Sequence, residues 1–134
     1  MNDGEFIMME APKGRTSLVV DDSRTVRRFV VGLLRNLGFE VAQASSGLHA
    51  IHQCQIATPD LVLLDWNMPV MDGITCLKAL RSMRFDRRPA IVMCTTESQI
   101  GKIQQALEAG ADEYIMKPFD QGVLLDKLVQ LNLA

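Results

Sequence analysis

The sequence predicts an α/β protein: a doubly wound, five-stranded parallel sheet with five helices on its two faces. Three observations predict it. Short apolar runs and helical runs alternate five times along the chain, the pattern of successive βα units joined by right-handed crossovers. Two of the runs, Leu61-Val62-Leu63-Leu64 and Ala90-Ile91-Val92-Met93-Cys94, are apolar at nearly every position, as strands covered on both faces must be. A length of 134 residues, 48% hydrophobic and 22% charged, fits one globular domain that buries roughly two thirds of its unfolded surface.

Residues 16–21 form the first apolar strand. Over residues 23–37, Val26, Phe29, Val30, Leu33, Leu34 and Leu37 recur at helical spacing, with Ser23 as N-cap and Gly38 as stop. Residues 39–44 alternate as a strand does, and residues 46–57 form a weaker helix that ends before Pro59. The third strand is 60–65. Met71-Asp72-Gly73 then leads into a helix through Met83, whose inner face is Ile74, Leu77 and Leu80. Pro89 introduces the fourth strand, 90–94. Residues 97–109 read as a helix with Ile100, Ile103, Ala106 and Leu107 on one side and Gly110 as its terminator. The fifth strand is 112–116 and the last helix 120–131. Residues 1–15 stand apart as a flexible tail before a domain spanning 16–134. Glu5-Phe6 is also what a common cloning site encodes, so part of this leader is expected to be vector-encoded, with a native start at Met8 or Met9.

A net charge of −2 gives no global attraction to nucleic acid or an anionic membrane, and no apolar run nears the ~20 residues that cross a bilayer. The brief cluster Phe6-Ile7-Met8-Met9 is too short for a signal peptide core. Cys54, Cys76 and Cys94 lack CxxC spacing and sit among apolar neighbours, which reads as reduced, buried thiols in a cytoplasmic protein. His49 and His52 have ligand spacing but no further partners, so they read as a solvated pair. Arg24, Arg27 and Arg28 open the first helix, where they oppose its dipole; they either balance nearby acids, contact a partner or form a solvated face. Arg81, Arg84, Arg87 and Arg88 crowd the link to the fourth strand and read as ordinary surface charge, with a docking patch as the other reading.

The chemistry lies at the strand ends. Leu18-Val19-Val20 runs into Asp21-Asp22, the third strand into Asp65, the fourth into Thr95-Thr96, and Tyr114-Ile115-Met116 into Lys117-Pro118. In an open parallel sheet, ligands bind beyond the carboxyl ends of the strands, so one crevice is expected to collect three acids, a hydroxyl and an ammonium. Two carboxylates ~4 Å apart repel by about 4 kcal/mol at an effective dielectric near 20, and such a cluster calls for a neutralising cation. Mg²⁺ suits it, taking one or two carboxylates, waters and phosphate oxygens. A carboxylate is also a phosphoryl nucleophile, and Asp65, ending the most apolar run, is the best candidate.

The segment Leu63-Leu64-Asp65-Trp66-Asn67-Met68-Pro69-Val70-Met71-Asp72-Gly73 resembles the phosphoacceptor segment of bacterial two-component response-regulator receiver domains, especially the CheY-like single-domain subfamily. Val20-Asp21-Asp22-Ser23 is similar to their acidic pair, Cys94-Thr95-Thr96-Glu97 to their switch hydroxyl, and Tyr114-Ile115-Met116-Lys117-Pro118-Phe119 to their lysine loop. Thirty residues separate Asp65 from Thr95 and twenty-two separate Thr95 from Lys117, as in the family. The likeness covers about residues 16–131.

The resemblance implies a flavodoxin-like, CheY-like sheet of strand order 2-1-3-4-5. It implies that Asp65 accepts phosphate from a histidine kinase or phosphotransfer protein, and that Asp21, Asp22, Asp65 and the backbone carbonyl of Asn67 bind Mg²⁺. Thr95 and Lys117 then contact the phosphoryl oxygens, Tyr114 acts as an aromatic switch, and the Lys117-Pro118 bond is cis. Asn67 and Glu97 tune access of hydrolytic water, and their polar character implies a short-lived phosphoryl group. The implied protein is a monomeric, stand-alone switch, not an enzyme beyond its own phosphorylation and autodephosphorylation. Its output face runs from the fourth strand to the fifth helix and meets a protein target, such as a flagellar motor switch component. Alternatives are a phosphorelay shuttle or phosphate sink, or a Mg²⁺-dependent phosphatase with an Asp nucleophile. Phosphatases of that kind place a second Asp two residues after the nucleophile, where this chain has Asn67.

Overall fold

The computed structural model describes residues 15–134; the leader segment considered above lies outside the described residues. In chain order the elements are β1 (Thr16–Val20), α1 (Arg24–Asn36), β2 (Glu40–Ala44), α2 (Gly47–Ile56), β3 (Leu61–Asp65) and α3 (Gly73–Ser82). After them come β4 (Ala90–Thr95), a 3₁₀ segment (Glu97–Lys102) running into α4 (Ile103–Glu108), β5 (Glu113–Met116) and α5 (Gln121–Gln130). The strands form one parallel sheet in the order β2-β1-β3-β4-β5. The sheet order and the five helices agree with the expected fold.

Alternation along β3 builds the two cores. Leu61 and Leu63 face a layer with Val30, Val31 and Leu34 of α1 and Leu124 and Leu128 of α5. Val62 and Leu64 face the opposite layer, with Ala50 of α2, Cys76, Leu77 and Leu80 of α3 and Ala106 of α4. All five β3 residues are buried, so β3 is the central strand that its apolar run implied. Side chains cap the helices where the sequence places them: Ser23 accepts from the Val26 N–H, Ser46 from His49, Asp72 from Thr75 and Asp120 from Val123. Gly38 and Gly110 follow α1 and α4 with φ of 94° and 113°, a left-handed conformation that glycine adopts without a Cβ penalty.

Two helical faces differ from expectation. Phe29 is 57% exposed while Val31 is buried; α1 turns Val30, Val31, Leu34 and Leu37 inward, and Phe29 lies about 200° round the helix from Val31. Residues 97–109 do not form one α-helix. The first half is 3₁₀, whose three-residue turn breaks the 3.6-residue period, and Ile100 and Leu107 are left exposed while Gln99 and Ala106 are buried.

At the amino ends of the strands, acids claim most of the second arginine group. Arg87 pairs with Asp60 at 2.9 Å, and Arg81 and Arg88 pair with Asp112 at 2.8 and 2.6 Å. Asp60 also accepts the Thr16 N–H and Asp112 the Ile91 N–H. Three of these four arginines therefore tie strand starts to the end of α3 and the link that follows it. The three cysteines are free and buried, and burial pushes Cys54 up to about 11 and Cys76 and Cys94 up to about 12, so they stay protonated.

Candidate functional site

Parallel pairing brings the carboxyl ends of four strands side by side. Val20 is in register with Leu64, Asp65 with Cys94, and Thr95 with Met116. The residues that continue these strands, Asp21-Asp22, Asp65, Thr95 and Lys117, consequently meet at one edge although they are spread over most of the sequence. One carboxylate oxygen from each of Asp21, Asp22 and Asp65 lies within 4.8 Å of the others. Among the described residues this is the one such group of potential metal ligands; His49 and His52 are outside it.

Lys117 crosses the crevice to reach two of the acids. Its Nζ donates to Asp65 Oδ1 at 2.6 Å and to Asp21 Oδ2 at 3.0 Å. The other Asp21 oxygen accepts the Ser23 N–H at 2.8 Å. Asp22 is exposed. One ammonium therefore faces three carboxylates. Burial, with the charges of Asp21 and Asp22, holds Asp65 above the ordinary carboxylate range despite its bond to Lys117. Burial lowers Lys117, but its hydrogen bonds to Asp65 and Asp21 outweigh that and raise it above the ordinary lysine value. The cluster carries excess negative charge and has oxygen donors only, the set that a hard divalent cation such as Mg²⁺ takes.

Thr95, which the resemblance singles out, and its neighbour Thr96 have different tasks. Thr96 caps the 3₁₀ segment, with its N–H donating to Gln99 Oε1 and its hydroxyl bonded to Gln99 and Ser98. Thr95 is wholly buried, and its Oγ1 is the buried side-chain polar atom left without a partner among the described residues. An unmet buried hydroxyl costs about 1–3 kcal/mol, so a ligand oxygen beside it would recover that energy.

Local backbone geometry positions Asp65. The Trp66 N–H donates to the Cys94 carbonyl, and the Trp66 carbonyl accepts the Gly73 N–H at 2.7 Å. Gly73 is packed so tightly under this turn that a Cβ there would meet the Asp65 carbonyl oxygen at 2.4 Å and Trp66 Cα at 2.8 Å. In sequence Gly73 ends the phosphoacceptor-like segment and leads into a helix; its pairing with Trp66 across the loop is visible only in the fold. Trp66 itself is buried in the α2–α3–α4 core. Asn67 and Glu97, at the rim, are exposed. The Lys117-Pro118 peptide is cis. Tyr114 is half-buried, with Lys127 Nζ 4.5 Å from its ring centroid and Lys127 paired to Glu113 at 3.3 Å. Within the first arginine group, Arg27 Nη1 donates to the Asp21 backbone carbonyl at 2.7 Å, while Arg24 and Arg28 are exposed.

Sheet order, acid trio and lysine place the molecule among doubly wound α/β proteins with an acidic crevice at the strand ends that could hold a divalent cation. Residues 17–129 match the response regulator receiver domain, and the chain belongs to that family, in its CheY-like branch. It is 41% identical over 117 residues to chemotaxis protein CheY-3 of Vibrio cholerae, covering 87% of this chain and 90% of that protein. Among solved structures it is similar to CheY4 of Vibrio cholerae, with a TM-score of 0.80 at 36% identity over 87% of this chain and 97% of that one. It is also similar to the receiver domain of a sensor histidine kinase from Pseudomonas aeruginosa, which holds a magnesium ion in its active-site cleft, with a TM-score of 0.79 at 28% identity over 87% and 96% of the two chains. Receiver domains catalyse only their own phosphorylation and dephosphorylation, and this chain belongs to that class.

Proposed function

We propose that Asp65 accepts a phosphoryl group from a phosphohistidine on a histidine kinase or phosphotransfer protein. The observation that carries the reading is the convergence of Asp21, Asp22 and Asp65 within 4.8 Å, with Lys117 reaching both Asp65 and Asp21. A carboxylate oxygen of Asp65 forms the O–P bond as the donor's N–P bond breaks, and the leaving imidazole keeps the electron pair and takes a proton from solvent. Such a transfer needs in-line positioning and charge neutralisation more than covalent help from the protein.

Asp21, Asp22, Asp65 and the backbone carbonyl of Asn67 would hold Mg²⁺, which neutralises the incoming phosphoryl charge. Lys117, already bonded to Asp65, would follow the new phosphoryl oxygens, and the unpartnered Thr95 hydroxyl would donate to one. Asn67 and Glu97 at the rim would govern the approach of hydrolytic water. The pull on Thr95 would then shift β4 and its following turn, allowing Tyr114 to move inward. Exposed Ile100, Leu107 and Met116, with half-buried Tyr114, support the β4–α4–β5–α5 face as the surface that a protein target reads.

Likeness to chemotaxis proteins supports a motility role for a cytoplasmic, monomeric, stand-alone receiver, with a flagellar motor switch component as target. The test incubates wild type and Asp65→Ala with a small acyl phosphate and Mg²⁺, followed by mass spectrometry. Stoichiometric labelling of wild type alone is expected. An adduct on both proteins, or multiple turnover of a phosphate ester, would overturn the assignment. Binding of labelled and unlabelled protein to motor-switch and phosphotransfer proteins then separates the motility switch from a relay shuttle or phosphate sink.

A further inference from the structure

The geometry points to Arg27 as a positioning residue that aims Asp22 into the crevice by clamping the Asp21–Asp22 peptide to the edge strand. This inference rests on the metal and phosphoryl site proposed above. Lys117 orients Asp65 and Asp21 directly. Asp22 has no such hold: it is exposed, and among the described residues its carboxylate makes no hydrogen bond or ion pair, yet it lies with the other two acids. Its direction is therefore set by its backbone.

That backbone is pinned on both sides of Asp21. The Asp21 N–H donates to the Ala44 carbonyl of β2 at 3.1 Å, and the Asp21 carbonyl accepts from Arg27 Nη1 at 2.7 Å. The same guanidinium donates through Nε to Gln43 Oε1 at 3.1 Å, and the Gln43 carbonyl is held in turn by the Gln53 amide from α2. Fixing one carbonyl fixes the plane of the peptide that follows, because the peptide bond is planar. Arg27 thereby joins α1, β2 and the acidic turn with a two-pronged donor that a lysine cannot reproduce. It touches only a backbone carbonyl at the site, so it positions ligands and does not itself react. A cation in the first turn of a helix opposes the dipole, so helix stability does not account for its presence.

Partners that orient metal ligands typically alter affinity by 10–100-fold when removed. The test titrates Mg²⁺ into wild type, Arg27→Met, Arg27→Lys and Gln43→Leu, following Trp66 fluorescence, with urea unfolding of each protein in a chelator as the structural control. Arg27→Met is expected to weaken Mg²⁺ binding about tenfold. Gln43→Leu, which removes no charge, is expected to weaken it several-fold with its chelator stability little changed, and Arg27→Lys is not expected to rescue. Wild-type affinity in either Gln43→Leu or Arg27→Lys would overturn the inference, since loss of a nearby cation alone favours Mg²⁺ and only loss of the clamp weakens its binding. Affinity losses that merely track losses of stability would overturn it as well. Failure of wild type to bind Mg²⁺ would overturn the site reading beneath it, and this inference with it.

Discussion

Replacing Lys117 by Met removes the ammonium that bridges Asp65 and Asp21 in the crevice. At an effective dielectric near 20, a contact of 2.6 Å to Asp65 corresponds to about 6 kcal/mol of attraction and one of 3.0 Å to Asp21 to about 5.5 kcal/mol. Against them, carboxylate oxygens within 4.8 Å repel by at least about 3.5 kcal/mol per pair. Gross attraction and repulsion are thus of similar size, and the crevice is balanced only while the lysine is present. Removing one partner of a buried pair costs 3–5 kcal/mol in measured cases. With Asp22 exposed and the Lys117 side chain 21% exposed, water screens part of this, so a loss of about 3 kcal/mol is expected. Urea unfolding in a chelator reads it directly. Repeating the titration with Mg²⁺ supplies the second half of the test. Ligand at one hundred times its Kd stabilises a native state by about 2.7 kcal/mol, and the variant, having lost its internal cation, should bind Mg²⁺ more tightly and recover more than wild type gains. Chelator stability equal to wild type within about 0.5 kcal/mol, or an equal Mg²⁺ gain in both proteins, would refute the charge-balance reasoning.

Three further outcomes follow from the same geometry. Because Asp65 is raised above its unfolded value, mainly by burial, its contribution to stability is intact at low pH and is lost as pH rises through its folded value. Asp65→Asn should therefore be more stable than wild type at neutral pH without metal, and the gap should close as pH falls toward the ordinary Asp value of about 4; chelator unfolding curves with a pH-independent gap would contradict this. Gly73→Ala forces a Cβ onto the Asp65 and Trp66 backbone, so a loss of about 1–3 kcal/mol, a shifted Trp66 emission and slowed phosphoryl uptake are expected; wild-type behaviour in stability and labelling would count against the tight turn as what places Asp65. Lys127 stacks on Tyr114, a contact worth about 0.5–1 kcal/mol, so Lys127→Met should free the ring and change partner affinity of the unphosphorylated protein by about two- to fivefold, whereas unchanged affinity would remove Lys127 from the switch.

Much of this architecture is legible in the chain because local and global signals coincide. Each strand that ends in an ionisable residue announces both a buried element and a site, and the spacing from Asp65 to Thr95 to Lys117 carries the topology that joins them. What stayed hidden depends on contacts between distant segments. Nothing in sequence separates Arg27 from Arg24 and Arg28; only the position of Gln43 on the neighbouring strand does. Spacing singles out Thr95, but the cap that Thr96 provides for the 3₁₀ turn beginning at Glu97 shows only in the fold. Ile100 and Leu107 share an inward face only under an α-helical period, and the segment starts as 3₁₀. Arg81, Arg87 and Arg88 look like free surface charge until the sheet brings Asp60 and Asp112 beside them.

The most direct measurement of the central claim follows phosphoryl uptake from an acyl phosphate, by Trp66 fluorescence with mass spectrometry, as Mg²⁺ is raised from a chelated baseline. A crevice of three acids balanced by one lysine predicts no uptake without the cation and saturable, single-site labelling of Asp65 once it is present. It also predicts a shift of the half-saturating Mg²⁺ concentration to higher values in Asp22→Asn. Equal labelling in chelator and in Mg²⁺, or an Asp22→Asn curve superimposed on that of wild type, would contradict it.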